Sequence, residues 1–214
     1  MNTSSSSRDR ILFNIRLFVP EEKVDHPQIP AFPRPNRPLL SDFEQRLREA
    51  GGASQSVSND ADALSRLRAL QPDVKVICST VPEITGTRNI LDVRDPHELA
   101  DVDVGVFRAQ FGVAETGAIW LTQEDLVVNA LAFLSQHLVV LLDPEKIVPD
   151  MQDAYRRVRL NNTAFGCFMM GPSATADVEA TLVHGAQGAR SLNVFFLPSS
   201  NTLDKSALLD SSPI

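Results

Sequence analysis

Cysteine is scarce in this 214-residue chain, which contains only Cys78 and Cys167. Both sit inside apolar stretches, Val76-Ile-Cys-Ser79 and Phe165-Gly-Cys-Phe168, a setting that predicts buried, reduced thiols in a cytoplasmic protein. Two thiols do not make an iron–sulfur cluster site or a zinc array. His26, His97, His137 and His184 are not spaced as a ligand set either, so no metal site is expected. Basic residues are few: 20 Lys and Arg stand against 27 Asp and Glu, for a net charge of −7. No Lys/Arg cluster rises from that background, which argues against a nucleic-acid surface. Long apolar runs are also missing. The strongest, Leu126 to Leu142, is broken by Asn129, Ser135, Gln136 and His137, so no membrane span is expected. Met1 to Arg10 is serine-rich and lacks the apolar core of a secretory signal. These exclusions leave a small molecule or another protein as the partner.

What is present, at 43% hydrophobic residues, suffices for one well-buried core. Ile11, Leu12, Ile15 and Phe18 form an apolar stripe that predicts an amphipathic helix over Arg8 to Phe18. Pro20 to Pro38 holds six of the fourteen prolines, the composition of an extended connector. We therefore expect an N-terminal helix and Pro-rich arm over 1–38, an α/β domain over 39–198 and a tail over 199–214. The arm suits an arm-exchanged homo-oligomer and a helix folded back on its own domain equally well. Ser41 opens a helix that Gly51-Gly52 closes. Beyond it, strands are expected at 53–57, 74–78, 102–107, 118–121, 137–142, 165–170 and 192–197. Helices are expected at 60–70, 92–100 and 148–160. Such alternation implies a three-layer α/β domain with a mostly parallel central sheet, and in such sheets ligands sit beyond the carboxyl ends of the strands.

Two segments carry the residues of a candidate site. In Gly112-Val-Ala-Glu-Thr-Gly117, Glu115 stands in a glycine-flanked turn beside Thr116. It reads either as a desolvated base or nucleophile or as an exposed turn glutamate. In Gly171-Pro-Ser-Ala-Thr-Ala-Asp-Val-Glu179, a strand entering a helix would aim free amides and the Ser173 and Thr175 hydroxyls at an anion. Asp177 would suit a ribose hydroxyl, an amine or a bridging metal; helix capping explains the same residues equally well. His184 and Arg190 follow around the Gly185 to Gly188 turn as an ionisable group and an anion clamp, or as ordinary surface residues.

Phe111-Gly-Val-Ala-Glu-Thr-Gly117, Met170-Gly-Pro-Ser-x-Thr-Ala-Asp-Val-Glu179 and the Gly185-x-x-Gly188 turn leading to Leu192-x-Val194 together resemble the LUD domain, the family of lactate-utilisation protein C. The resemblance implies a fold like that of sugar-phosphate isomerases, CoA-transferases and formyltetrahydrofolate cyclo-ligase. It further implies the role of a cluster-free accessory subunit beside iron–sulfur oxidoreductase subunits in L-lactate oxidation, with a pocket for a small anion or nucleotide. Class I CoA-transferases use a glutamate in a Glu-Asn-Gly turn as acyl acceptor, which Glu115-Thr-Gly117 resembles, so an acyl-transferring enzyme is the alternative, and a nucleotide- or sugar-phosphate-binding regulator a third. Where family members often have arginine, this chain has Ala174, leaving Arg108 or Arg190 to supply the cation of an anion site. No cofactor is specified.

Overall fold

A computed structural model describes residues 6–19, 27, 30, 37–159, 164–176 and 183–198. The chain divides into two compact units, Met1–Asn36 and Arg37–Ile214. In the first, helix α1 runs over Ser7–Leu17, closed at its start by a capping box between Ser6 and Asp9. Nearly all of the proline arm, and the tail beyond Pro198, lie outside the described residues.

The second unit begins with α2 (Leu39–Glu49), β1 (Ala53–Ser56), α3 (Asp60–Leu70), β2 (Ile77–Ser79) and β3 (Arg88–Asn89). It continues through β4 (Val104–Arg108), β5 (Phe111–Val113), β6 (Ala118–Thr122), α4 (Gln123–Leu126), α5 (Leu131–Leu134), β7 (His137–Leu142) and β8 (Ile147–Val148). It closes with α6 (Met151–Arg157), β9 (Gly166–Met169), β10 (Ala174–Thr175), β11 (Val183–His184) and β12 (Ser191–Phe196). Six strands, in the order β1-β12-β7-β4-β2-β3, form a wholly parallel sheet. This is the expected α/β core.

Alternation within the strands builds its two faces. Leu138, Val140 and Leu142 of β7, with Leu192, Val194 and Phe196 of β12, join Phe43 and Leu47 of α2, Leu126 of α4 and Leu131 of α5. Val139, Leu141 and Phe195 face the other way, onto Ala63 and Leu67 of α3. The β7 and β12 runs are apolar on both faces because both faces are covered.

Two strands expected in the central sheet region, at 118–121 and 165–170, are organised differently, and the Gly112 segment expected as a bend begins with a strand of its own. β5, β6 and β9 join β8 in a separate four-stranded sheet, ordered β8-β5-β6-β9, in which β5–β6 and β6–β9 are antiparallel. One face of this sheet, through Ile119 and Leu121, enters the main core. The other buries Phe111, Val113 and Trp120 against Ala154 of α6. Trp120 is thus a core residue, 4.6 Å from the Phe168 ring. Two further expectations change. The 92–100 segment forms two 3-10 turns, Ile90–Asp92 and Pro96–Leu99, and β2 starts only at Ile77 because the Asp103 carboxylate takes the amides of Lys75 and Val76. No described helix is long and apolar enough to cross a membrane.

Phe43 is fully buried between the helix and the sheet, edge-on to Phe196 at 5.9 Å. Phe43→Ala is expected to lower the unfolding free energy by about 3–5 kcal/mol in denaturant titrations.

Candidate functional site

The two glycine segments converge on α2, whose backbone fills the space between them. A Cβ on Gly117, where φ is +70°, would lie 2.3 Å from the Leu47 amide nitrogen. One on Gly171, at φ +64°, would lie 2.1 Å from the Ala50 carbonyl oxygen. Gly112 faces Phe43 and Leu142 side chains in the same way, at 2.9 Å from each. Glycine is required at these positions for close approach of the chain to itself. Gly112, Gly117 and Gly171 therefore shape the scaffold and face no open cleft.

Glu115 is exposed, and its Oε2 accepts the Met151 amide at 2.9 Å, closing the start of α6 beside the Asp150 cap. Thr116 turns its hydroxyl to the Ala118 amide at 3.3 Å. The arrangement is that of an exposed turn glutamate recruited as a helix cap.

The second segment does not enter a helix at Ser173. The Ser173 amide donates to the Ala189 carbonyl at 2.8 Å, and the Ser173 carbonyl accepts the Gly185 amide at 2.7 Å. The chain then pairs antiparallel, Ala174 with His184 and Thr175 with Val183. Backbone groups that a helix start would have left free are thereby used within a hairpin. Asp177 lies outside the described residues. Gly171, Ser173, Thr175 and His184 are nonetheless gathered in one place. Pro172 and the His184 ring lie 3.3 and 3.5 Å from where a Gly51 side chain would be, and Ser173 stands 3.0 Å from the equivalent position on Gly188.

Arg190 reaches the same region: its amide donates to the Gln136 carbonyl at 2.8 Å. Two residues that the sequence did not mark as candidates for this site sit next to it. Ser191 and His137 open β12 and β7, are directly paired in register, and are joined by a 2.8 Å bond between Ser191 Oγ and His137 Nδ1. Burial, then the neighbouring Arg190 charge, hold the His137 imidazole below its ordinary value of 6.5, against an opposing pull from Asp103. The only sequence signal for this pair was that each polar residue begins an apolar strand.

These residues lie at the amino ends of the parallel strands, opposite the edge where such sheets usually bind. The carboxyl edge is occupied by an internal network. Arg108 donates to Glu83 at 2.7 Å and to the Leu197 carbonyl at 3.2 Å. Asp125 Oδ2 accepts the Thr122 amide and hydroxyl, both at 2.8 Å, and Gln110 at 2.9 Å. Burial nevertheless pushes the Asp125 carboxyl up. Of the two arginines available to an anion, Arg108 is thus paired and Arg190 is exposed. A depression of about 700 Å³ beside β3 contains none of the candidate residues, and its Arg88 is paired with Asp101. Burial raises both thiols, Cys78 and Cys167, which keeps them from acting as thiolates.

The fold is similar to that of a solved structure. A DUF162 family protein from Deinococcus radiodurans superposes with a TM-score of 0.52 at 18% identity, over 74% of this chain and 95% of that one. Residues 95–197 match the family model of the LUD domain. Among curated relatives, an uncharacterized protein from Neisseria meningitidis serogroup B is 32% identical over 95 residues, 43% of this chain and 41% of that one. Lactate utilization protein C from Oceanobacillus iheyensis is 25% identical over 92 residues, 40% of each chain. The matched segment thus spans about two fifths of either relative's length.

Gly117→Ala and Gly171→Ala combine left-handed backbone with a clash against α2, and each is expected to destabilise by about 2–4 kcal/mol in thermal melts. Glu115→Ala, losing only an exposed cap, is expected to cost about 1 kcal/mol. Because the folded His137 pKa lies below the unfolded one, the unfolded state binds more protons below 6.5, and stability falls as pH drops through that value. His137→Gln is expected to flatten the loss of melting temperature between about pH 7.5 and about pH 5.5.

Proposed function

We propose that this chain is a cluster-free subunit of an L-lactate or related 2-hydroxy-acid oxidation system, working beside iron–sulfur oxidoreductase subunits and binding a small anion or nucleotide. The carrying observation is the LUD-domain match over 95–197, together with similarity to a relative named lactate utilization protein C. The two separate cysteines in these 214 residues agree with electron transfer residing elsewhere. The anion would be held on the hairpin side of the domain, where Ser173, Thr175, His184 and Arg190 are close together and Arg190 is exposed. Glu115, by contrast, is bonded to the α6 amide end, which favours a structural role over that of an acyl acceptor.

Coexpression with iron–sulfur subunits of a lactate-oxidising system, followed by native copurification, tests the assignment. The chain is expected to be recovered with them in fixed ratio; recovery of the chain alone would sink the subunit reading.

A further inference from the structure

We propose that Arg190, His137 and Ser191 form a binding site for a short monocarboxylate bearing a hydroxyl or carbonyl oxygen on the carbon next to the carboxylate. This deepens the reading above, since it rests on the hairpin side of the domain being the anion-binding one, and it adds two residues from the sheet itself.

The three are adjacent by construction. Ser191 and His137 are register partners at the amino ends of neighbouring parallel strands, with side chains bonded at 2.8 Å. The Arg190 amide is fixed to the Gln136 carbonyl at 2.8 Å, so both chains enter the sheet already tied together. Arg190 is exposed and its guanidinium meets no carboxylate among the described residues, while His137 and Ser191 are half-buried. A planar guanidinium matches a carboxylate through two parallel hydrogen bonds. The neutral imidazole and hydroxyl carry two exchangeable protons. One lies in their mutual bond, and the other is left to donate to a neighbouring oxygen.

The charges around His137 set the valence of the ligand. From the turn before β4 comes Asp103, whose Oδ2 is used by the Lys75 and Val76 amides at 2.8 Å each; from the approach to β12 comes Arg190. Lys75 acts on Asp103 in turn. One fixed cation next to a neutral imidazole suits a single negative charge. Burial lowers the His137 imidazole most and the Arg190 charge adds to it; a carboxylate on Arg190 offsets that second contribution, so binding is coupled to proton uptake by the imidazole.

Calorimetric titration of the full chain with L-lactate and with pyruvate tests this. The affinity of at least one is expected to rise about threefold to tenfold from about pH 7.5 to about pH 5.5, a range in which neither carboxylate titrates. Propanoate, which lacks the second oxygen, is expected to bind at least about tenfold more weakly, and Arg190→Gln to lose at least about tenfold for either probe. His137→Gln should still bind but without the pH dependence. Imidazole NMR signals of the unmodified chain, followed during the same titrations, give a readout independent of any variant's folding, and the His137 resonance is expected to move. Unmoved His137 signals under saturating L-lactate and pyruvate, propanoate binding as tightly as either, or unchanged binding by Arg190→Gln would each overturn the site. Failed copurification with these titrations intact would remove the complex and keep the site; the converse would remove the site and keep the complex.

Discussion

The contact on which the rest depends is that of helix α2 with backbone. Most helices cover a sheet through a layer of side chains; here the helix lies so near that Gly112, Gly117 and Gly171 leave no room for a Cβ. α2 runs against the strand direction. Phe43 meets Phe196 at the carboxyl ends, and Ala50 meets Gly171 where the chain turns to begin β1. One element thereby fixes the central sheet, the β5–β6 turn of the smaller sheet and the start of the hairpin. Bringing two sheets onto one helix requires bare backbone at each contact.

That packing explains how glycine segments that look like ligand-facing rims can be scaffold. Small residues permit close approach to a ligand or to another part of the chain, and composition does not distinguish the two. The neighbour decides it, and the neighbour, α2, is some seventy residues away in sequence from Gly117, as Leu47 numbering makes plain.

Much of the central sheet was legible because its strands are buried on both faces. β7 is a continuous apolar run after His137 and β12 is apolar apart from Ser191 and Asn193, and the expected and observed boundaries agree to within a residue. The smaller sheet was harder to read. β5 has three residues and follows β4 after only Ala109 and Gln110, so one apolar stretch divides between two sheets without a turn signal. The hairpin after Gly171 was misread as a helix entry because Ser173 and Thr175 suit caps and turns alike; only the cross-chain bonds to Ala189 and Gly185 separate the two. His137 and Ser191 showed the opposite problem. Each appears in sequence as a polar residue opening an apolar run, and their relation exists only once β12 is placed beside β7.

That placement has a kinetic side. β12 lies between β1 and β7, pairing Ala53 with Asn193 and His137 with Ser191. During synthesis β1 emerges early yet has no strand to pair with until the segment after Arg190 leaves the ribosome. The nascent chain therefore carries an unpaired, half-finished sheet edge for most of its elongation. Long-range parallel pairing of this kind slows folding and exposes the chain to association while it waits.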